Sequence, residues 1–162
     1  MSGTSTITQG DYHGFPALLI RTPQANAALS LHGGQLLSFV PHGFDDLLWL
    51  SPNSTRPPGA IRGGVPVCWP YFGRQGQAAT VPQHGFARNS MWTLLDTQTD
   101  AHGGVTLQLA LPTPDASGVR LTQTLHVGEV LQQSLITENT GNTTTAFTQA
   151  LHSYFKVGDA TR

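Results

Sequence analysis

Charge is what this sequence has least of. Only 10% of its 162 residues are Asp, Glu, Lys or Arg, and the formal net charge is −1; typical soluble proteins carry about 25%. Lys156 is the single lysine, and no run of one sign occurs. Binding a phosphate backbone takes clustered Lys and Arg, so the composition argues against nucleic acid as a partner. It argues equally against membrane surfaces and polyanions. Cysteine is nearly absent as well. A lone Cys68 leaves no intrachain disulfide and no Cys-based zinc site. No apolar run approaches the roughly 18 residues of a membrane span. Met1 to Gly10 is polar and has no basic residue before an apolar stretch, unlike a secretory leader. A cytoplasmic location is the resulting expectation. Residues 1–12 are expected to form a flexible polar tail ahead of a single domain over 13–162. A chain of this size can bury roughly two thirds of its unfolded surface.

Helical periodicity is missing too, and strand signals take its place. Val105, Leu107, Leu109 and Leu111 alternate with Thr106, Gln108 and Ala110. Val119, Leu121, Leu125 and Val127 repeat the pattern, broken once by Gln123. Leu131 to Thr137 and Thr144 to Phe155 also read as strands. So do Ala17 to Ile20, Ala27 to Leu31 and Leu36 to Val40. Turn signals lie at His102-Gly103-Gly104, Pro112 to Gly118, Val127-Gly128-Glu129 and Asn139 to Asn142. Short strands with polar turns predict an all-β sandwich or barrel.

Ser51 to Pro82 breaks the rhythm. It holds Pro52, Pro57, Pro58, Pro66, Pro70 and Pro82, and proline lacks the N–H a central strand needs. The same stretch carries Val65, Val67, Cys68, Trp69, Tyr71 and Phe72. A long aromatic loop inside a β domain suggests function. The plainer reading is a loop that covers one open face of the sandwich.

Three segments concentrate reactive side chains. In Ile61 to Gly73, Arg62 offers a planar fork of donors for phosphate or carboxylate. Gly63 and Gly64 would let backbone approach a ligand. Trp69 and Tyr71 could face a sugar ring. The plainer reading has Arg62 covering apolar surface and Trp69 in the core. In Gln83 to Arg88, an amide, an imidazole and a guanidinium fall within six residues, a mixture suited to a polyhydroxylated anion. His84 beside Phe86 also fits a structural histidine. In Ala150 to Phe155, a strand would put His152 and Tyr154 on one face. A histidine there needs a partner, and imidazole suits proton transfer near neutrality. There is no Gly-rich phosphate loop and no nucleophile elbow. The seven histidines are scattered, which disfavours a metal site.

Together the strings IRGGVPVCWPYFG, QHGFAR and ALHSYFKVGD resemble the signature blocks of the hexose-6-phosphate mutarotases, the glucose-6-phosphate 1-epimerases. These belong to the aldose 1-epimerase, or galactose mutarotase-like, superfamily. GGQLLSFVP at 33–41 and LLWLSPNS at 47–54 are similar to the family's opening strands. The resemblance runs from about Phe15 onward.

It implies a β-supersandwich and interconversion of the α and β anomers of D-hexose 6-phosphates, with no cofactor and no metal. By motif, His152 is implied as the catalytic acid. Arg62, Gln83, His84, Arg88 and Trp69 are implied in substrate binding, the arginines at the phosphate. The family's carboxylate base, a glutamate, lies beyond the block that contains His152. Glu129 and Glu138 precede that block, so the chain is expected to be the N-terminal portion of an incomplete fold. Two further expectations follow: self-association through unpaired strands, and, as the alternative function, a non-catalytic sugar-phosphate-binding or regulatory module.

Overall fold

The computed structural model describes residues 4–112 and 118–161. In chain order the strands are β1 (Thr6–Tyr12), β2 (Phe15–Arg21), β3 (Ala25–Ser30), β4 (Gln35–Pro41) and β5 (Val67–Cys68). They continue as β6 (Thr93–Thr99), β7 (Val105–Ala110), β8 (Val119–Val127), β9 (Leu131–Asn139) and β10 (Ala150–Leu151). A 3-10 turn at Ala87–Asn89 is the only helical element among the described residues. Strands β1 to β4 form one antiparallel sheet and β6 to β9 another, each in sequence order; β5 and β10 pair as a short ribbon. The all-β expectation holds. Of the turn expected at Pro112 to Gly118, residues 113–117 lie outside the described residues.

The two sheets close on one core. Ile20, Leu29 and Leu36 come from the first sheet, and Leu107, Leu121 and Leu125 from the second; all are buried in a single cluster with Trp69 and Trp92. Each such aliphatic side chain stabilises the fold by about 1.5–3 kcal/mol. The break at Gln123 has a structural use. Its Nε2 donates to the Gly34 carbonyl at 2.8 Å, and its Oε1 accepts from Gln133 Nε2 at 2.7 Å. The buried amide thus ties the second sheet to the first and stays fully paired.

The expected tail needs correction. Thr6–Tyr12 is not a tail; it pairs with β2 along its whole length, from Thr6↔Arg21 to Tyr12↔Phe15. The two strands turn through His13 and Gly14 with φ of 51° and 84°, the two-residue hairpin geometry that matches strand twist. β1 is an edge strand with mostly exposed residues. It therefore needs no apolar alternation, which is why its composition reads as a tail.

The first sheet is buried on its outer face as well. Phe15, Ala17, Ala28, Leu37 and Ile61 form a second cluster there. The Pro-rich segment supplies the cover. Val65 N–H donates to the Leu36 carbonyl at 2.8 Å, and Gln35 Nε2 donates to the carbonyls of Ile61 at 3.1 Å and Gly63 at 2.7 Å. Gly64 has φ 59°, and a Cβ there would run into the Leu36 carbonyl oxygen. The paired glycines serve approach of backbone to backbone, not of backbone to ligand. Up to Pro66, then, the segment is the cover of the plainer reading.

The strand expected over Thr144 to Phe155 is reduced to Ala150–Leu151. Pro66 and Pro70 flank its partner β5 and deny it ladder donors. Beyond β10 the chain stays extended between two neighbours. His152 N–H donates to Pro66 O at 3.0 Å and Tyr154 N–H to Gly64 O at 2.9 Å. On the other side Trp49 N–H donates to Tyr154 O, and Lys156 N–H to Leu47 O, both at 2.9 Å.

Candidate active site

The extended run after β10 sets the first half of the site. Alternate residues of an extended chain share a face, and His152 and Tyr154 do so. Their rings stack with centroids 4.9 Å apart and planes 23° apart. Tyr154 in turn meets Trp49 at 5.9 Å. His152 is half-buried, while Ser153 faces solvent.

The loop between β5 and the 3-10 turn sets the second half. Gly73 and His84 clasp each other: His84 N–H donates to the Gly73 carbonyl at 2.7 Å, and Gly73 N–H donates to His84 Nδ1 at 3.0 Å. His84 is left-handed at φ 67°, a conformation a non-glycine residue adopts at a cost and often at functional sites. Gly85 follows at φ 73°, and a Cβ there would run into the Trp69 carbonyl oxygen. That close approach pairs Gly85 with Trp69 in a parallel bridge. Phe72 lies 4.7 Å from the His84 ring and 6.2 Å from that of His152. The two imidazoles meet edge to face at 5.8 Å.

Hydrogen bonding and charge set the state of His84. Because His84 Nδ1 accepts the Gly73 hydrogen bond, the neutral ring carries its proton on Nε2. Burial pushes its pKa below the usual imidazole range, and the positive charges of Arg88 and a protonated His152 push it further. His84 is therefore held as a neutral donor. Arg88 Nη2 donates to the Gln83 carbonyl at 2.8 Å, while its buried Nε has no protein partner.

His84, Arg88 and His152 thus lie near one another, and Gln83 joins them through its carbonyl. Arg62 stands apart from them. Its guanidinium is exposed, its N–H donates to Ser54 Oγ at 2.6 Å, and it precedes by two residues the glycine that pairs with Tyr154. Trp69 needs correction. It is only 2% exposed, packs edge-on against Phe86, and donates Nε1–H to Thr137 Oγ1 at 3.1 Å. No face of its indole is free for a sugar, so it is a core residue that anchors the loop. The aromatic surface is offered instead by Phe72, Tyr154 and Trp49. Phe72 and Tyr154 lie inside the signature strings and Trp49 inside LLWLSPNS, but only the fold shows that Trp49 reaches Tyr154 across a backbone ladder. Among the described residues no group of three or more His, Cys, Asp or Glu is placed to hold a metal ion.

The arrangement offers one imidazole open to proton exchange, one neutral N–H donor, a nearby guanidinium and flat apolar rings. That set suits a polyhydroxylated anionic ligand and acid–base chemistry upon it. The chain is similar to proteins already named. A "Putative glucose-6-phosphate 1-epimerase" of Escherichia coli strain K12 is 42% identical over 149 residues, which are 88% of this chain and 49% of that protein. One of Salmonella typhimurium is 40% identical over the same share of each. A solved Salmonella typhimurium structure, titled a "putative mutarotase", superposes with a TM-score of 0.82 at 36% identity, covering 94% of this chain and 52% of that one. The chain thus spans about half the length of the relatives it matches. Residues 16–162 match the family described as Aldose 1-epimerase, and the chain belongs to that family.

Proposed function

We propose that this chain carries the acid side of a site that interconverts the α and β anomers of hexose 6-phosphates. The observation that supports this reading is the edge-to-face pair of His84 and His152 beside Arg88. Anomerisation needs one proton delivered to the ring oxygen and one removed from O1. The ring then opens, the C1–C2 bond rotates, and closure on the other face reverses both transfers. His152 is the donor to the ring oxygen, since its ring is stacked rather than clasped and has no protein hydrogen bond among the described residues. A positioned acid of this kind contributes about 10²–10⁴-fold in rate. His84 Nε2–H holds a sugar hydroxyl without exchanging its proton. Arg88, with Arg62 at the far end of the register, favours the phosphate through charge-assisted hydrogen bonds. The ring face rests on Phe72 and Tyr154.

One feature favours the second reading, a sugar-phosphate-binding module. No described carboxylate is within ion-pair distance of His152. One experiment separates the two. Glucose 6-phosphate and glucose are titrated calorimetrically into the chain, and anomer exchange is followed by NMR on the same samples. Phosphate-dependent binding with exchange that is lost in His152→Ala supports the mutarotase. Binding without exchange supports the module. Equal affinity for the two sugars removes the phosphate assignment from both.

A further inference from the structure

We infer that a second oxyanion site, separate from the His84–His152 pair, lies in the cleft between the β1–β2 turn and the loop from Trp49 to Arg56. Its ligand is a phosphate group, free or carried on a ring. The cleft has a volume of about 480 Å³ and is lined by Phe15, Trp49, Ser51, Ser54, Arg56 and Lys156, among others.

Its cations are placed, not merely nearby. The Arg56 guanidinium sits 4.5 Å over the centre of the Phe15 ring, in the space that a Cβ at Gly14 would fill. Such stacking holds the fork in one orientation and leaves its edges free to donate. Lys156 enters the same cleft at the end of the ladder that carries His152. Among the described residues neither cation is within ion-pair distance of a carboxylate. Asp46 also lines the cleft, but its charge is already answered. Oδ1 accepts from the Phe39 N–H at 3.1 Å and the Leu48 N–H at 2.9 Å, and Oδ2 from Tyr12 Oη at 3.1 Å and Ser38 Oγ at 2.5 Å.

The serines complete the donor set. Ser51 Oγ accepts from the Asn53 N–H, and Ser54 Oγ from the Arg62 N–H. Each hydroxyl therefore keeps its own hydrogen to give, and among the described residues none gives it to a protein acceptor. Two cations and two hydroxyl donors around one cleft match the acceptor oxygens of a phosphate. The indole of Trp49 adds an apolar wall for a ring that carries it. Through Ser54 the occupant also bears on Arg62, and through Trp49 on the Tyr154–His152 stack.

The test uses the whole chain and inorganic phosphate, followed by NMR shifts and by tryptophan fluorescence. Trp69 and Trp92 are buried, so Trp49 is the indole exposed to an anion. Saturable shifts at Ser51, Ser54 and Arg56 are expected, with Trp49 responding alongside them, and Lys156→Gln is expected to weaken them about tenfold or more. Lys156 is exposed, so that variant is expected to fold; Arg56→Gln, checked by thermal unfolding, is the companion. Phenyl phosphate binding more tightly than phosphate assigns a phosphorylated ring, and equal affinity assigns the free anion. Shifts confined to His84, Arg88 and His152 overturn this site while leaving the proposed sugar-phosphate site standing. So does an equal loss in Arg120→Gln, an exposed cation on β8, because that would be general charge attraction.

Discussion

His84 gives its Nδ1 lone pair to the Gly73 N–H while its ring stands at 79° to the His152 imidazole with centroids 5.8 Å apart. One imidazole is thereby fixed in tautomer and orientation, and the other is left open. Two histidines with different freedom can divide binding from proton transfer.

The first prediction concerns pH. Burial, Arg88 and His152 hold the His84 pKa below that of an unfolded histidine. Between the folded and the unfolded pKa the unfolded chain binds more protons, so stability rises with pH across that window. Stability should therefore fall as pH drops below about 6.5. His84→Asn keeps an acceptor for Gly73 and tolerates the left-handed backbone. Thermal unfolding of this variant should show a shallower dependence than wild type between about pH 5 and pH 7. Identical slopes would mean that His84 does not titrate as argued.

The glycines of the loop should differ sharply from one another. Gly73 and Gly85 have φ of 63° and 73°, so either alanine costs about 1–2 kcal/mol in backbone strain. At Gly73 nothing lies within 4 Å of the added methyl, whereas at Gly85 it meets the Trp69 carbonyl. Gly85→Ala should thus be clearly less stable than Gly73→Ala in denaturant titrations. It should also shift the NMR signals of His84 and Phe86, because the Trp69–Gly85 bridge must open.

How much of this is readable without coordinates depends on how many layers a residue touches. β8 alternates so regularly because one face meets the core and the other does not, and even Gln123 is visible as an exception. Its tie to Gly34 is not visible, since a contact across 89 positions leaves no local trace. β1 is illegible for the opposite reason: an edge strand buries too little to impose a pattern. The motif strings pick out His84, Arg88 and His152, which the fold brings near one another, because their neighbours are constrained by turns and bridges. They misassign Trp69, since a residue type suited to sugar stacking is equally suited to a core.

The two tryptophans Trp49 and Trp69 should separate in experiment. Trp69 is fully packed and hydrogen-bonded to Thr137. Trp69→Ala should cost about 3–5 kcal/mol of stability. Trp49 is 36% exposed and contacts Tyr154 with its ring. Trp49→Ala should leave the unfolding midpoint much closer to wild type, while weakening any ligand whose ring rests on that aromatic surface. Calorimetry with glucose 6-phosphate and chemical denaturation of both variants check this together. Similar losses of stability would show that Trp49 is also a core residue.

The last prediction concerns association of the chain with itself. Leu47, Trp49, Phe155 and Val157 are all exposed, and the two segments that carry them are held side by side by the Leu48↔Phe155 bridge and the Lys156–Leu47 hydrogen bond. Phe72 adds another exposed ring beside His152. Exposed apolar side chains on both faces of this ladder favour association. The edge strands β6 and β9 end their sheet with open N–H and C=O groups, which invite pairing with another chain. With only 10% charged residues and a net charge of −1, electrostatic repulsion between copies is weak. Light scattering should therefore report a mass that rises above 17.3 kDa with concentration. Phe155→Ser and Val157→Ser keep the backbone ladder and remove apolar area, so together they should lower the association without unfolding the chain. If the wild-type chain stays at its monomer mass into the millimolar range, these exposed side chains are not adhesive.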